Sequence, residues 1–185
     1  IQSRIMCDAL LATKRHAEAA TCFESKSAPS PADHFHAATA RRGLNDLVGA
    51  AESYSRALAA APTMAESYLN VGWVLSELDR GVEAVNAYRH GLRLGSWPAP
   101  TAATAHNNLG ALLRAAGRDA EATTQFKAAL AFVPDFAPAL DNMRGGSTHE
   151  FAMIINAANG LLMRDANQEA MQLYQRALPL RDPRR

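Results

Sequence analysis

The feature that most constrains this 185-residue chain is one spacing that occurs five times. A small residue is followed 12 positions later by an alanine, and an aromatic residue stands four positions after that alanine. Repetition of one spacing indicates stacked copies of a single structural unit. The five sets are Cys7, Ala19 and Phe23; Ala38, Ala50 and Tyr54; Gly72, Ala84 and Tyr88; Gly110, Ala122 and Phe126; and Ala158, Ala170 and Tyr174.

Each unit is predicted to be a pair of antiparallel helices. The alanine, the aromatic residue and a further residue three positions on, usually small, lie on one stripe of a helix, where the ring fills the space beside its neighbours. Short polar turns, such as residues 79–81 and 117–119, separate the two helices of a unit. One pair cannot bury its apolar stripe alone, so we expect an all-α fold, a right-handed solenoid of stacked helix pairs.

These units resemble tetratricopeptide repeats, most clearly in residues 65–94 and 103–134. Pro62 and Pro134 stand where that family ends its second helix. The resemblance implies repeats near 3–30, 34–62, 65–95 and 103–134. A partial repeat at 137–144 completes a solenoid over 1–144, and a further helix pair is expected at 147–185. Either one repeat has lost its second helix before residue 147, or part of the natural chain is absent there.

The segment from Ser96 to Pro100 is predicted to be an insertion, because the repeat spacing there is 38 residues instead of 34. We expect it to lengthen the loop between two repeats. Trp97 in that loop either packs back on the neighbouring helix or contacts a partner.

Partner binding is expected on the first helices, which line the concave face of such solenoids. Asparagines recur two positions before the small residue, and a carboxamide can pair with both polar groups of a peptide backbone. Apolar residues on the same face suggest contact points. The predicted partner-binding residues are Phe35, His36, Leu69, Asn70, Trp73, Asn107, Asn108 and Asn142. Of these, Asn70, Asn108 and Asn142 resemble the asparagine ladder in the repeat arm of O-linked N-acetylglucosamine transferases.

Composition argues against several other functions. The formal net charge of +1 makes nucleic acid an unlikely partner, and no apolar stretch is long enough for a membrane span. No cofactor motif, metal-ligand spacing or catalytic constellation stands out, so we predict a noncatalytic protein without cofactor or metal.

Cys7 is predicted to be a small core residue, since two cysteines are too few for a disulfide framework. We expect a soluble protein of a reducing compartment, such as the cytoplasm or an organelle matrix.

Three functions agree with these observations. The first is a scaffold, adaptor or assembly subunit that binds a protein or peptide segment in the concave groove. The second is the substrate-recruiting arm of a larger O-linked glycosyltransferase, which the asparagine ladder suggests. The third is a structural subunit embedded in a large multiprotein complex. All three make the chain part of a larger complex or of a longer polypeptide.

Overall fold

The computed structural model describes residues 4–145, 154–155, 158 and 167–178, and within them the fold is all α-helical. Residues 137–145 are also helical, and most of the helix pair predicted at 147–185 lies outside the described residues. The other helices are α1 (Arg4–Ala12), α2 (His16–Glu24), α3 (Pro31–Gly43), α4 (Leu47–Ala60), α5 (Ala65–Glu77), α6 (Gly81–Leu94), α7 (Ala99–Ala115), α8 (Asp119–Phe132) and α9 (Asn167–Ala177).

Helices α1 to α8 form four successive hairpins, each with a first and a second helix, and each hairpin packs on the next. The turn inside each hairpin contains one residue in the left-handed region: Lys14, Asn45 and Asp79 have φ between 56° and 60°, and Gly117 has φ 73°. In each turn the next amide donates to the carbonyl five residues earlier, at 2.9 Å. These bonds satisfy carbonyls at the end of the first helix and reverse the chain within three or four residues.

The repeated stripe forms the core of the solenoid. In the four hairpins the alanine of the repeated spacing is fully buried, and the aromatic side chain four positions later is at most 2 % exposed. Gly110 lies against the Phe126 ring so closely that a Cβ there would be 2.6 Å from Cε1, and Gly72 faces the Tyr88 ring in the same way at 3.1 Å. The small residue of the first helix thus leaves room for the ring of the second. The predicted all-α solenoid is confirmed.

The first hairpin departs from the pattern, because Lys26 occupies a position that is small in the other repeats. Its Nζ forms an ion pair with Asp33 of α3, whose side chain is only 7 % exposed. Ser30 caps α3 by accepting from the Asp33 amide, and its own amide donates to Asp33 Oδ2 at 2.9 Å. Burial raises the pKa of Asp33, but the hydrogen bonds from Lys26 and Ser30 outweigh it and lower that pKa to about 2.

Cys7 and Cys22 form a disulfide that joins α1 to α2, with Cα atoms 5.5 Å apart. Cys7 is fully buried, as predicted for a core residue, but its bond to Cys22 was not predicted. Disulfides persist in oxidising environments.

The prediction that residues 96–100 lengthen the loop between two repeats is wrong. Only four residues separate α6 from α7, and α7 is 17 residues long against 13 for α3 and for α5. The additional residues form an extra helical turn at the start of α7, because Pro100 occupies a position in the first turn where its missing N–H costs nothing. Trp97 packs back on the neighbouring helix α6, which was the first of the two alternatives for this residue. Its Nε1 donates to the Gly91 carbonyl at 3.2 Å.

Candidate functional site

An open pocket of about 580 Å³ lies along the first helices of the second, third and fourth hairpins. Helix α5 forms its floor, α7 forms one wall, and the extra turn of α7 together with Trp97 borders one side. Because α5 and α7 are in direct contact, side chains from successive repeats meet in this groove. The extension of α7 therefore converts an open surface between first helices into a bounded site.

Trp73 of α5 is half-buried and packs against the hydrophobic clusters of both the second and the third interfaces between hairpins. The part of the indole that stays exposed borders the pocket. The guanidinium of Arg42 lies over the Trp73 ring, 5.6 Å from its centroid. Trp73 thus links the repeats and also presents an aromatic surface beside a positive charge.

Asn70, one helical turn before Trp73, already has hydrogen-bond partners within the chain. Its Oδ1 accepts from Arg42 Nη1 at 2.8 Å, and its Nδ2 donates to the Glu66 carbonyl at 3.0 Å. Each of these atoms has capacity for one more hydrogen bond, because a carboxamide has two acceptor sites and two N–H donors. Asn70 thus links Arg42 to α5 at the edge of the pocket.

Asn108 of α7 lines the pocket on the wall opposite α5. Its Nδ2 donates to the Tyr88 hydroxyl at 3.1 Å, and within the described residues its Oδ1 makes no hydrogen bond. Burial raises the pKa of Tyr88 to about 12, although the bond with Asn108 opposes this shift. The hydroxyl is therefore protonated at neutral pH, and it accepts from Asn108 at the edge of the pocket.

The other two predicted asparagines bond to each other, away from the pocket. Asn142 Nδ2 donates to Asn107 Oδ1 at 2.9 Å, and Asn107 is only 8 % exposed. The backbone carbonyl of Asn142 also accepts from Arg114 Nη1. These contacts tie the helical segment at residues 137–145 to α7.

The structure brings together four of the eight predicted residues, namely Leu69, Asn70, Trp73 and Asn108, around one pocket. Leu69 is 8 % exposed, so it forms the base of the pocket more than its surface. Phe35 and His36 lie one repeat away. Phe35 packs edge-on against Tyr54 at 5.6 Å, and the His36 ring stacks on Phe23 at 5.3 Å.

Sequence reasoning missed the contribution of Trp97 and of the α7 extension to this pocket. The signal was the Pro-Ala-Pro sequence at residues 98–100, since proline in the first turn is typical of a helix start. Arg42 and Glu66 also line the pocket.

The comparisons with known proteins agree with this architecture. Residues 102–132, which comprise most of α7 and all of α8, match the family model of the tetratricopeptide repeat. A crystal structure of MamA superposes with a TM-score of 0.67 at 17% identity, over 97% of this chain and 96% of MamA. The fold is that of a tetratricopeptide-repeat solenoid.

Two further tetratricopeptide-type structures match at low sequence identity. YrrB, described as a TPR protein with an unusual peptide-binding site, superposes with a TM-score of 0.66 at 18% identity, over 74% of this chain and 70% of YrrB. MamA from Desulfovibrio magneticus RS-1 gives 0.65 at 14% identity, over 96% and 92% of the two chains. No curated protein sequence matches this one. At these identities the likeness concerns the fold of the repeat solenoid.

The described part of the repeat solenoid holds no cluster of three or more histidine, cysteine, aspartate or glutamate residues that could bind a metal ion. Among the described helices, none combines the length and the apolar character required to cross a bilayer. The pocket around Trp73 lies on the first helices and is lined mainly by apolar surface.

Proposed function

We propose that this protein is a noncatalytic scaffold or adaptor that binds an extended segment of a partner protein in the groove between α5 and α7. The observation that supports this proposal best is the pocket in which Trp73, Leu69 and Trp97 supply apolar surface and Asn108 supplies a carboxamide oxygen that no described residue bonds. Half-buried aromatic residues with polar groups at their edge are typical of binding sites for peptides.

The energetics favour binding by one apolar anchor with a few polar contacts. Truncation of a central tryptophan at an interface costs about 2–4 kcal/mol, whereas a hydrogen bond to Asn108 contributes roughly 1 kcal/mol net. The expected affinity is therefore moderate and depends mainly on the side chain that enters the pocket.

The glycosyltransferase alternative has less support. It requires a row of carboxamides that face the groove, whereas Asn70 bonds to Arg42 and Asn142 bonds to Asn107. Of the three ladder positions, Asn108 alone lines the pocket with its acceptor unbonded in the described residues.

A matched pair of threonine variants tests the groove. Thr104 of α7 is exposed and lines the pocket, and its hydroxyl donates to the carbonyl four residues earlier at 2.9 Å. Thr124 of α8 is exposed, has the same bond at 3.0 Å and lies on a second helix. We expect Thr104→Arg to block the groove and Thr124→Arg to leave it open, with equal helicity in both.

The measurement is partner capture in cells of the source organism, by crosslinking followed by mass spectrometry on wild type and both variants. Proteins lost with Thr104→Arg but retained with Thr124→Arg are groove partners, and the double variant Trp73→Ala/Asn108→Ala should lose them too. If both arginine variants capture the same proteins as wild type, the groove does not bind partners and the proposal fails.

A further inference from the structure

The pocket contains two opposite charges that are not paired with each other or with another charged side chain of the described chain. Arg42 contacts the neutral Asn70 and the Trp73 ring, and no carboxylate of the described residues lies within ion-pair distance of its guanidinium. Glu66 is exposed at the pocket and its carboxylate has no ion-pair partner among the described residues. Elsewhere charged neighbours do pair, as Arg41 does with Glu24 at 2.7 Å.

The two charges lie along one helix stripe, with Glu66 at its start and Arg42 beside its middle and far end. Glu66, Asn70 and Trp73 are spaced by four and three residues along α5, so they lie on the same face. At about 1.5 Å of rise per residue this stripe is roughly 10 Å long, the length of about three residues of extended chain. Arg42 reaches the stripe at the Asn70 and Trp73 end.

We propose that the segment bound in this groove carries an apolar side chain flanked by a basic residue on the Glu66 side and an acidic residue on the Arg42 side. This inference rests on the proposed function and adds the chemistry of the partner. The apolar side chain enters between Trp73 and Trp97, and the two flanking charges are about two to three residues apart in the partner.

The cost of desolvation supports this pattern. A bound segment covers the pocket and removes water from Arg42 and Glu66, and a charge that loses water without gaining a counter-charge weakens binding. A segment with one charge of each sign compensates both groups. A segment with two acidic or two basic residues compensates one group and repels the other. The arrangement therefore also selects against segments whose charges all have the same sign.

The test begins with random peptides displayed on phage and selected against the wild-type protein, with Thr104→Arg as a counter-selection. Retained peptides are expected to contain an acidic and a basic residue on either side of an apolar one. The best of them is then synthesised in two forms, one with its own charges and one with the acidic and basic residues exchanged, and affinity is measured by fluorescence anisotropy.

The protein charges are exchanged in parallel as Arg42→Glu/Glu66→Arg. Wild type should prefer the original peptide by roughly tenfold, and the exchanged protein should prefer the exchanged peptide by a similar factor. The matched control is Arg56→Glu/Glu52→Arg on α4, two exposed residues outside this pocket, which should keep the preference of wild type. Arg42→Gln keeps a donor for Asn70, so it should lose the preference for the acidic residue without loss of fold.

The outcomes separate this inference from the proposal on which it rests. If peptides bind in a manner that Thr104→Arg abolishes but carry no charge pattern, or if the exchanged pair does not recover affinity, the charge inference is overturned and groove binding stands. If no selected peptide is sensitive to Thr104→Arg, both the inference and the groove are rejected.

Discussion

Replacement of Gly110 by alanine tests the packing rule that shapes this solenoid. Gly110 lies in α7 where the Phe126 ring of α8 crosses it, and the ring is fully buried. A Cβ on Gly110 would be 2.6 Å from Cε1, 2.9 Å from Cδ1 and 3.0 Å from Cζ of that ring. Because the ring is held on all sides, the two helices must separate to admit the methyl group.

Two opposing effects determine the size of the change. Alanine favours a helix interior over glycine by about 1 kcal/mol, whereas overpacking of a core costs typically 1–3 kcal/mol. At Gly110 the contacts are shorter than any real Cβ contact, so the upper part of that range applies and we expect a net loss of about 1–2 kcal/mol. At Gly72 the nearest Tyr88 atoms are 3.1 Å away, so the two effects should nearly cancel.

Urea denaturation followed by circular dichroism and by tryptophan fluorescence is the assay. The two tryptophans of the chain, Trp73 and Trp97, both lie near this interface and report its unfolding. The control is Gly81→Ala at the start of α6, where an added Cβ has no atom within 4 Å, and it should be neutral or slightly stabilising. A Gly110→Ala protein as stable as wild type would refute the argument that the small residue is needed for helix approach.

Two further predictions concern the first repeats. Lys14→Gly should stabilise the protein by about 1 kcal/mol in the same denaturation assay, because Lys14 has φ 59° and glycine adopts that conformation without strain; no gain would contradict this. Asp33→Asn should cost about 2 kcal/mol at pH 7, because the pKa of Asp33 is lowered to about 2 in the folded state. That stabilisation is complete above the ordinary carboxyl pKa and is lost as pH falls through about 2, so the two proteins should converge in acid; a difference independent of pH would exclude the ion pair with Lys26 as its source.

The sequence was a good guide to the backbone because the packing rule is local. The small residue, the alanine and the aromatic ring of one repeat touch within a single hairpin, so their spacing along the chain predicts their contact in space. Gly72 with Tyr88 and Gly110 with Phe126 are examples in which the predicted pairing is the observed one. The same spacing predicted the short antiparallel connections and the stacking of hairpins.

The candidate site was predicted less completely because its side chains choose partners across repeats. Asn70 and Asn108 occupy the same position in their repeats, but Asn70 bonds to Arg42 and Asn108 bonds to Tyr88. Their different roles follow from the residue four positions after the small one in the preceding repeat, which is Arg42 in one case and Ser76 in the other. A periodic pattern treats the two asparagines as equivalent.

What the sequence by itself determined is therefore the repeated unit, since helix periodicity, a tight turn and a matched small and aromatic pair are all encoded within about 34 residues. Tertiary structure decided where the first helices of the solenoid form a pocket. The extra turn of α7 folds Trp97 back beside Trp73, and the Cys7–Cys22 bond closes the first hairpin. The contacts around Trp73 and Trp97 depend on how neighbouring hairpins stack, and stacking brings together side chains whose separation in the sequence carries no periodic signal. The Cys7–Cys22 bond forms within one hairpin, between two residue positions that hold no cysteine in the other repeats.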